Sequence, residues 1–167
     1  MTPAVRFLTG ADAEAYWHLR VEALGREPRA FARSVDEHRM TSVKDTEGQL
    51  ASLEAWTVGA FVGEHLRGAA TLIRASGWKR RHKAVVAAVY VGPELQGHGL
   101  GKRLMTALVA HARTLPDVER IMLTVAADNT AAKALYRRLG FLPWGTERAA
   151  LKLEGEYIDE DHLVLTL

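Results

Sequence analysis

The chain has 167 residues, with 22 Lys plus Arg against 20 Asp plus Glu for a formal charge of +2, and it contains no cysteine. Its length fits one domain at roughly 150 residues per domain, and 48% hydrophobic with 25% charged residues is ordinary for a soluble globular fold. The missing thiols exclude disulfide staples, thiolate metal ligands and a cysteine nucleophile. The seven histidines are never closer than 13 positions, so no imidazole pair shares a helix or strand face and no metal site is expected.

In chain order, residues 5–8 read as a short strand ended by Gly10, after which Asp12 can cap a helix to about Arg26 with Leu19, Ala23 and Leu24 toward the core. Pro28 stops it. Ser34 with Glu37 has capping-box spacing, and Ser42 can cap a second helical stretch to about Glu54. The period then changes to strands at 56–62 and 68–75, joined by the six residues 63–68 as a hairpin. Residues 84–91 form a continuous apolar run, the signature of a strand buried on both faces. A helix over 100–115, a strand over 120–126 and a helix over 129–139 follow, and runs at 148–153 and 162–167 flank a turn near Glu154-Gly155. This order gives an α/β or α+β sheet with helices on both faces, and the whole chain, 1–167, is expected to be one domain. The first ten residues lack an apolar segment and the run 84–91 is far below the ~20 residues of a membrane span, so a cytoplasmic protein without a membrane anchor is expected.

The turn between the apolar strand and the next helix, Gly92-Pro93-Glu94-Leu95-Gln96-Gly97-His98-Gly99-Leu100-Gly101-Lys102, is the most informative stretch. Glycines at 97, 99 and 101 leave backbone N–H groups unshielded where a helix start has amides without partners and the positive end of its dipole, which suits a phosphate. A P-loop is excluded because Gln96 stands where its first glycine belongs and Arg103 where Ser or Thr belongs. The spacing GxGxG also fails the dinucleotide pattern GxGxxG.

Gln96-Gly97-His98-Gly99-Leu100-Gly101 resembles the Gln/Arg-x-x-Gly-x-Gly/Ala signature of the GNAT family of N-acetyltransferases. A second stretch, Asn129-Thr130-Ala131-Ala132-Lys133-Ala134-Leu135-Tyr136-Arg137-Arg138-Leu139-Gly140-Phe141, is similar to that family's N-x-x-A-x-x-L-Y-x-x-x-G-F. The resemblance implies a mixed, mostly antiparallel sheet with a splayed central parallel strand pair. It also implies acetyl-CoA as cosubstrate, its pyrophosphate bound by Gln96, Gly97, His98, Gly99, Leu100 and Gly101, with charge added by Lys102 and Arg103. Its pantetheine arm would pair with Val89, Tyr90 and Val91 as an added strand. Asn129 would contact backbone groups of the cofactor, Tyr136 would protonate the leaving thiolate, and the N–H of Val91 would meet the charge on the carbonyl oxygen. An alkylamine acceptor of pKa ~10.4 must be neutralised at pH 7, which costs roughly 4.6 kcal/mol and calls for a base or a water relay.

Two charge runs complete the reading. Residues 79–83 carry four positive charges and residues 154–161 five acids, so +2 is a sum of opposed patches. Solvated loops are their plainest meaning. The resemblance places the acceptor between the first two helices and the last hairpin, where Glu37, Asp159 and Asp161 are candidate contacts for a cationic amine. Direct transfer in a ternary complex to a primary amine, on a small molecule or a protein, is expected. Membrane and nucleic-acid partners are not, and a homodimer is compatible. A CoA-binding sensor without turnover, or a nucleic-acid binder using 79–83, are the other readings.

Overall fold

The computed structural model describes residues 2–167. Its strands, β1 (Ala4–Phe7), β2 (Ala55–Val62), β3 (His65–Arg74), β4 (Lys83–Val91), β5 (Arg120–Ala126), β6 (Leu142–Leu153) and β7 (Glu156–Thr166), make one sheet in the order β1-β2-β3-β4-β5-β7-β6. Every neighbouring pair is antiparallel except β4 and β5. The helices are α1 (Ala13–Arg26), α2 (Val35–Arg39), α3 (Val43–Leu50), α4 (Leu100–Ala112) and α5 (Thr130–Arg138). No helix among the described residues is long and apolar enough to cross a membrane.

The two faces of the sheet carry separate cores. Leu100, Leu104, Met105 and Leu108 of α4 and Tyr136 of α5 pack with Ala84, Val86, Ile121, Leu123 and Phe141. On the opposite face Tyr16, Leu19 and Ala23 of α1 pack on Phe61, Leu66, Ala69 and Tyr90. Spacing explains both: 100, 104 and 108 recur on one helix stripe, and 16, 19 and 23 on another. Caps fix the helix starts. Both Ser34/Glu37 and Ser42/Asp45 form complete capping boxes, and the oxygen of Asn129 accepts from the N–H of Ala132 at 3.1 Å.

Several expectations are corrected. The helix from Ser42 ends at Leu50 rather than near Glu54, and that from Leu100 ends at Ala112 rather than 115, each followed by a turn. The β2–β3 connection is only Gly63-Glu64, because 65–67 continue the ladder with Leu66 buried. β4 is not buried on both faces; Val85 is 39% exposed, since α1 covers only part of that side. The last hairpin is far longer than 148–153 and 162–167. Pro143 and Gly145 obscure the start of β6, and both are tolerated because β6 is an edge strand with register shifts. The acidic run 154–161 therefore lies mostly in a strand.

Asp12 ties β1 to the start of α1. Its carboxylate accepts from Arg6 at 2.7 and 2.8 Å and from the N–H of Thr9 at 2.8 Å, and the Arg6 hydrogen bond leads in holding its pKa down to about 2. A depressed carboxylate contributes stability that is present above its unfolded pKa of 3.8 and lost as pH falls toward 2. Asp12→Asn is expected to lower stability by about 1–2 kcal/mol at pH 7. In urea titrations that deficit shrinks toward zero by pH 2; a deficit independent of pH contradicts the ion-pair account.

Candidate active site

β4 and β5 are paired only at Lys83↔Arg120, Ala84↔Ile121 and Val85↔Met122, after which they part. The cause lies in β4. Ala88 has φ +56, and the register with β3 slips by one residue between Ala69↔Tyr90 and Thr71↔Ala87, so a bulge turns the end of β4 aside. A left-handed alanine is strained by roughly 1 kcal/mol, and such strain gathers at functional sites. The fork has one arm of 86–91 and another of 123–126.

Hydrogen-bond alternation shows which groups face into it. The N–H of Gly92 donates to Arg67 O at 2.8 Å, so residue 92 points to β3 and Val91 points the other way. Val89 shares the direction of Val91, and the backbone of Tyr90 faces β3. The phenol of Tyr90 donates to Glu22 at 2.9 Å on α1, with burial raising its pKa well above the usual value. The amide of Gln96 donates to the carbonyl of Val91 at 3.1 Å. That leaves the N–H of Val91 as a donor aimed into the fork.

The glycine turn sits at the end of β4. Gly97 has φ +78 and Gly99, at the N-cap of α4, φ +75. No atom lies within 4 Å of where a Cβ on either would stand, so both open onto free space beside the first amides of α4. Gly101 has a different role: a Cβ there would stand 3.2 Å from Leu135, so it lets α4 approach α5. His98 is held by Gln96 O at 2.9 Å, and Leu100 is buried. Arg103 donates to Pro3 O at 2.9 Å, which leaves Lys102 the less encumbered cation. The positive run 79–83 opens β4 at the other end from this turn, and Arg81 there faces Asp117 at 3.7 Å.

Tyr136 is 6% exposed, packed at 61° and 5.9 Å against Phe141, and burial pushes its pKa up to about 12. It is the buried residue of α5. Asn129 caps α5 with its oxygen, leaving its amide hydrogens available.

The acceptor-side candidates divide. Glu37 closes a capping box, Asp159 pairs with Arg148 at 3.1 Å and accepts from the N–H of Ala149 in a bulge of β6, and Asp161 holds Lys133 at 2.6 Å and Thr146 at 2.7 Å. All three are engaged in structure. Glu160, one of the acids of that run, lies between them and on the other face: register sets it beside Ala126, and His162 beside Thr124, on the α1 side of β5. Burial, then Glu147, raises the pKa of Glu160. His162 lies 3.5 Å from Glu147 and 5.2 Å from the ring of Trp144. Strand alternation was the signal for this division, hidden because the sequence reading leaves 142–147 and 156–161, the starts of β6 and β7, outside its strands.

Residues 16–141 match the model of the acetyltransferase (GNAT) family. The chain belongs to the GNAT family. Among GNAT relatives, it is 32% identical over 145 residues to a mycothiol acetyltransferase of Salinispora tropica, covering 81% of this chain and 43% of that protein. A mycothiol acetyltransferase of Kytococcus sedentarius is 34% identical over 161 residues, covering 89% and 46%. The chain thus spans less than half the length of these curated relatives. A GNAT acetyltransferase from Streptococcus pneumoniae shares the fold with a TM-score of 0.86 at 22% identity, over 99% of both chains. A putative acetyltransferase from Salmonella typhimurium, solved with its cofactor acetyl-CoA, has a TM-score of 0.86 at 20% identity, over 99% of this chain and 94% of that one. The mixed sheet with one splayed parallel pair is the GNAT fold.

Gly99→Ala places a side chain in a left-handed position and into the open cradle. It is expected to weaken CoA binding at least tenfold by calorimetry while lowering stability by only about 1 kcal/mol. Unchanged affinity would remove the turn from the binding site.

Proposed function

We propose that this chain transfers the acetyl group of acetyl-CoA to a primary amine by direct transfer in a ternary complex. The observation that carries the reading is the fork, with the free N–H of Val91 aimed into it and the open glycine turn at its end. The residues fit the cosubstrate. A thioester arm can lie along β4 as an extra strand on Val89 and Val91, and a pyrophosphate can take the unshielded amides between Gln96 and Gly101. Lys102 adds charge there, and the amide hydrogens of Asn129, not used in its cap, serve as donors to the same arm. When bound, acetyl-CoA supplies an activated acyl carbon and a thiolate leaving group.

The chain supplies position, polarity and proton handling. Val91 N–H stabilises charge developing on the carbonyl oxygen, a fixed dipole that needs no reorganisation. Tyr136 meets the leaving sulfur. Burial raises the pKa of the Tyr136 phenol and so keeps it protonated at neutral pH, and it can therefore give its proton to the departing thiolate as the general acid, the proton released by the amine restoring the phenol afterwards. Glu160, whose carboxylate is raised toward neutrality, and His162 with Glu147 line the acceptor side and accept that proton directly or through water.

Tyr136→Phe is expected to reduce kcat about 100-fold in an assay of released CoA thiol, with CoA affinity unchanged, because the hydroxyl serves the transition state rather than binding. Equal turnover by the variant would take Tyr136 out of the reaction. Binding of acetyl-CoA with no thiol release across a panel of amines and peptides would favour a sensor.

A further inference from the structure

The α1 face of the sheet is covered unevenly. Toward the glycine turn α1 lies over β3 and β4, with the Tyr16 hydroxyl 3.2 Å from that of Thr71 and the Tyr90 phenol on Glu22. Over β5 and β7 the same end is closed: the turn 28–30 packs on β5, and Arg29 reaches Asp128 at 3.0 Å and Glu156 at 3.4 Å. Ile158, two residues before Glu160 on the same face of β7, is 2% exposed. The other end is bare. Ile73, Val85, Met122, Val164 and Leu142 stand in register on β3, β4, β5, β7 and β6, one apolar row across five strands. Alternation puts the row on the α1 side, because Leu72, Ala84, Ile121 and Leu163 beside it belong to the core under α4. Ile73 is 41% exposed and Leu142 64%, and Met122 and Val164 are half-buried.

This row is continuous with the fork. Val85↔Met122 is the last pair of β4 and β5 before they part, so the row crosses the closed end of the fork. Two residues nearer the turn, on the same face, His162 stands beside Thr124, and two further on Glu160 stands beside Ala126. The proton acceptors and the row are therefore successive steps on one surface. Trp144 bounds it: it is the extra residue of β6 between Pro143↔Leu163 and Gly145↔His162, and the bulge sets its ring 5.2 Å from that of His162 while leaving it 59% exposed. Lys83 and Arg120, in register two residues beyond Val85 and Met122, put two cations on the outer rim. Five strands span roughly 19 Å, and a contiguous apolar surface of that length marks a binding site rather than scattered exposed side chains. A substrate whose amine reaches Glu160 finds the end toward the turn closed and the row open.

We infer that the row binds the substituent of the acceptor, so that the acceptor is a small primary monoamine with a long apolar body, of which an alkylamine is the simplest case. The inference rests on the acetyl-transfer reading and extends it to the acceptor's class. The amine meets Glu160 and His162, and the body passes Trp144 to lie on Met122, Val164 and Leu142. Ala126 and Met122 are four residues apart on β5, roughly 13 Å, which an extended chain of about ten carbons spans. Lys83 and Arg120 at the outer rim repel a second ammonium, so a diamine of the same length is rejected.

The test measures kcat/KM by CoA thiol release for n-butylamine, n-heptylamine, n-decylamine and 1,10-diaminodecane, each below its micelle concentration. Each added carbon is expected to raise kcat/KM about threefold, through KM, as a buried methylene does, so that decylamine exceeds butylamine at least 100-fold. The diamine should fall at least tenfold below decylamine. Leu142→Ser and Met122→Gln should each flatten the rise with chain length, and Leu142→Met should keep it. Equal kcat/KM along the series, or a rise that survives both polar variants, overturns the assignment. A second readout does not depend on turnover. With CoA bound, N-decylacetamide should raise the melting temperature of the wild type more than that of Leu142→Ser, and N-butylacetamide should shift neither. Absence of the decyl shift, with CoA still binding, overturns the apolar site alone, whereas failure to bind CoA overturns the acetyl-transfer reading and this one with it. A dimer in sedimentation velocity that Leu142→Ser dissociates would give the row to a second copy of the chain and overturn it as well.

Discussion

Backbone groups on β4 beyond Val85 have no strand partner on the β5 side, and an unpaired N–H or C=O is costly unless something else takes it up. The bulge at Ala88 enforces that condition, and the register with β3 shows how. One extra residue rotates the last turn of the ladder, so that Val89 and Val91 present donors and acceptors to a gap instead of to β5. A sheet that closed this gap would have no site. The gap in turn requires cores on both faces that do not depend on it, and the separate clusters under α4 and α1 meet that need.

The same strand delivers the chain to the glycine turn, so one element carries both halves of the proposed cofactor site. Gln96 links them: its amide occupies the carbonyl of Val91, which removes an acceptor from the fork and leaves the donor. That selection matters for acyl transfer, where an oxygen becoming negative needs donors. Gly97 and Gly99 provide backbone conformations that expose amides, while Gly101 is a packing residue that brings α5, and with it Tyr136, up to α4. Three glycines at alternate positions thus serve two physical ends.

Much of this was legible in the residues because it is local. Capping boxes at Ser34 and Ser42, the helical stripes of α1 and α4, and both site motifs depend on neighbours a few positions away. The fork was not, because its cause is an alanine with φ +56 inside an apolar run, and nothing about alanine announces a bulge. The acceptor side was hidden for a related reason. Whether Glu160 or Asp161 lies on the α1 face of the sheet depends on strand register, and β6 carries Pro143, Gly145 and two extra residues near Ala149 that break the alternation a reader would count.

Charge is where local reading misled most. Five acids within eight residues suggested an attractor for a cation, yet alternation sends Asp159 and Asp161 to Arg148 and Lys133 and leaves Glu160 with the raised pKa. The cations are sorted with equal care. Arg29 bridges to Asp128 and Glu156, and Arg6 holds Asp12, whereas Arg20 stacks over Phe31 with the Tyr16 phenol and Arg33 as its charged or polar neighbours.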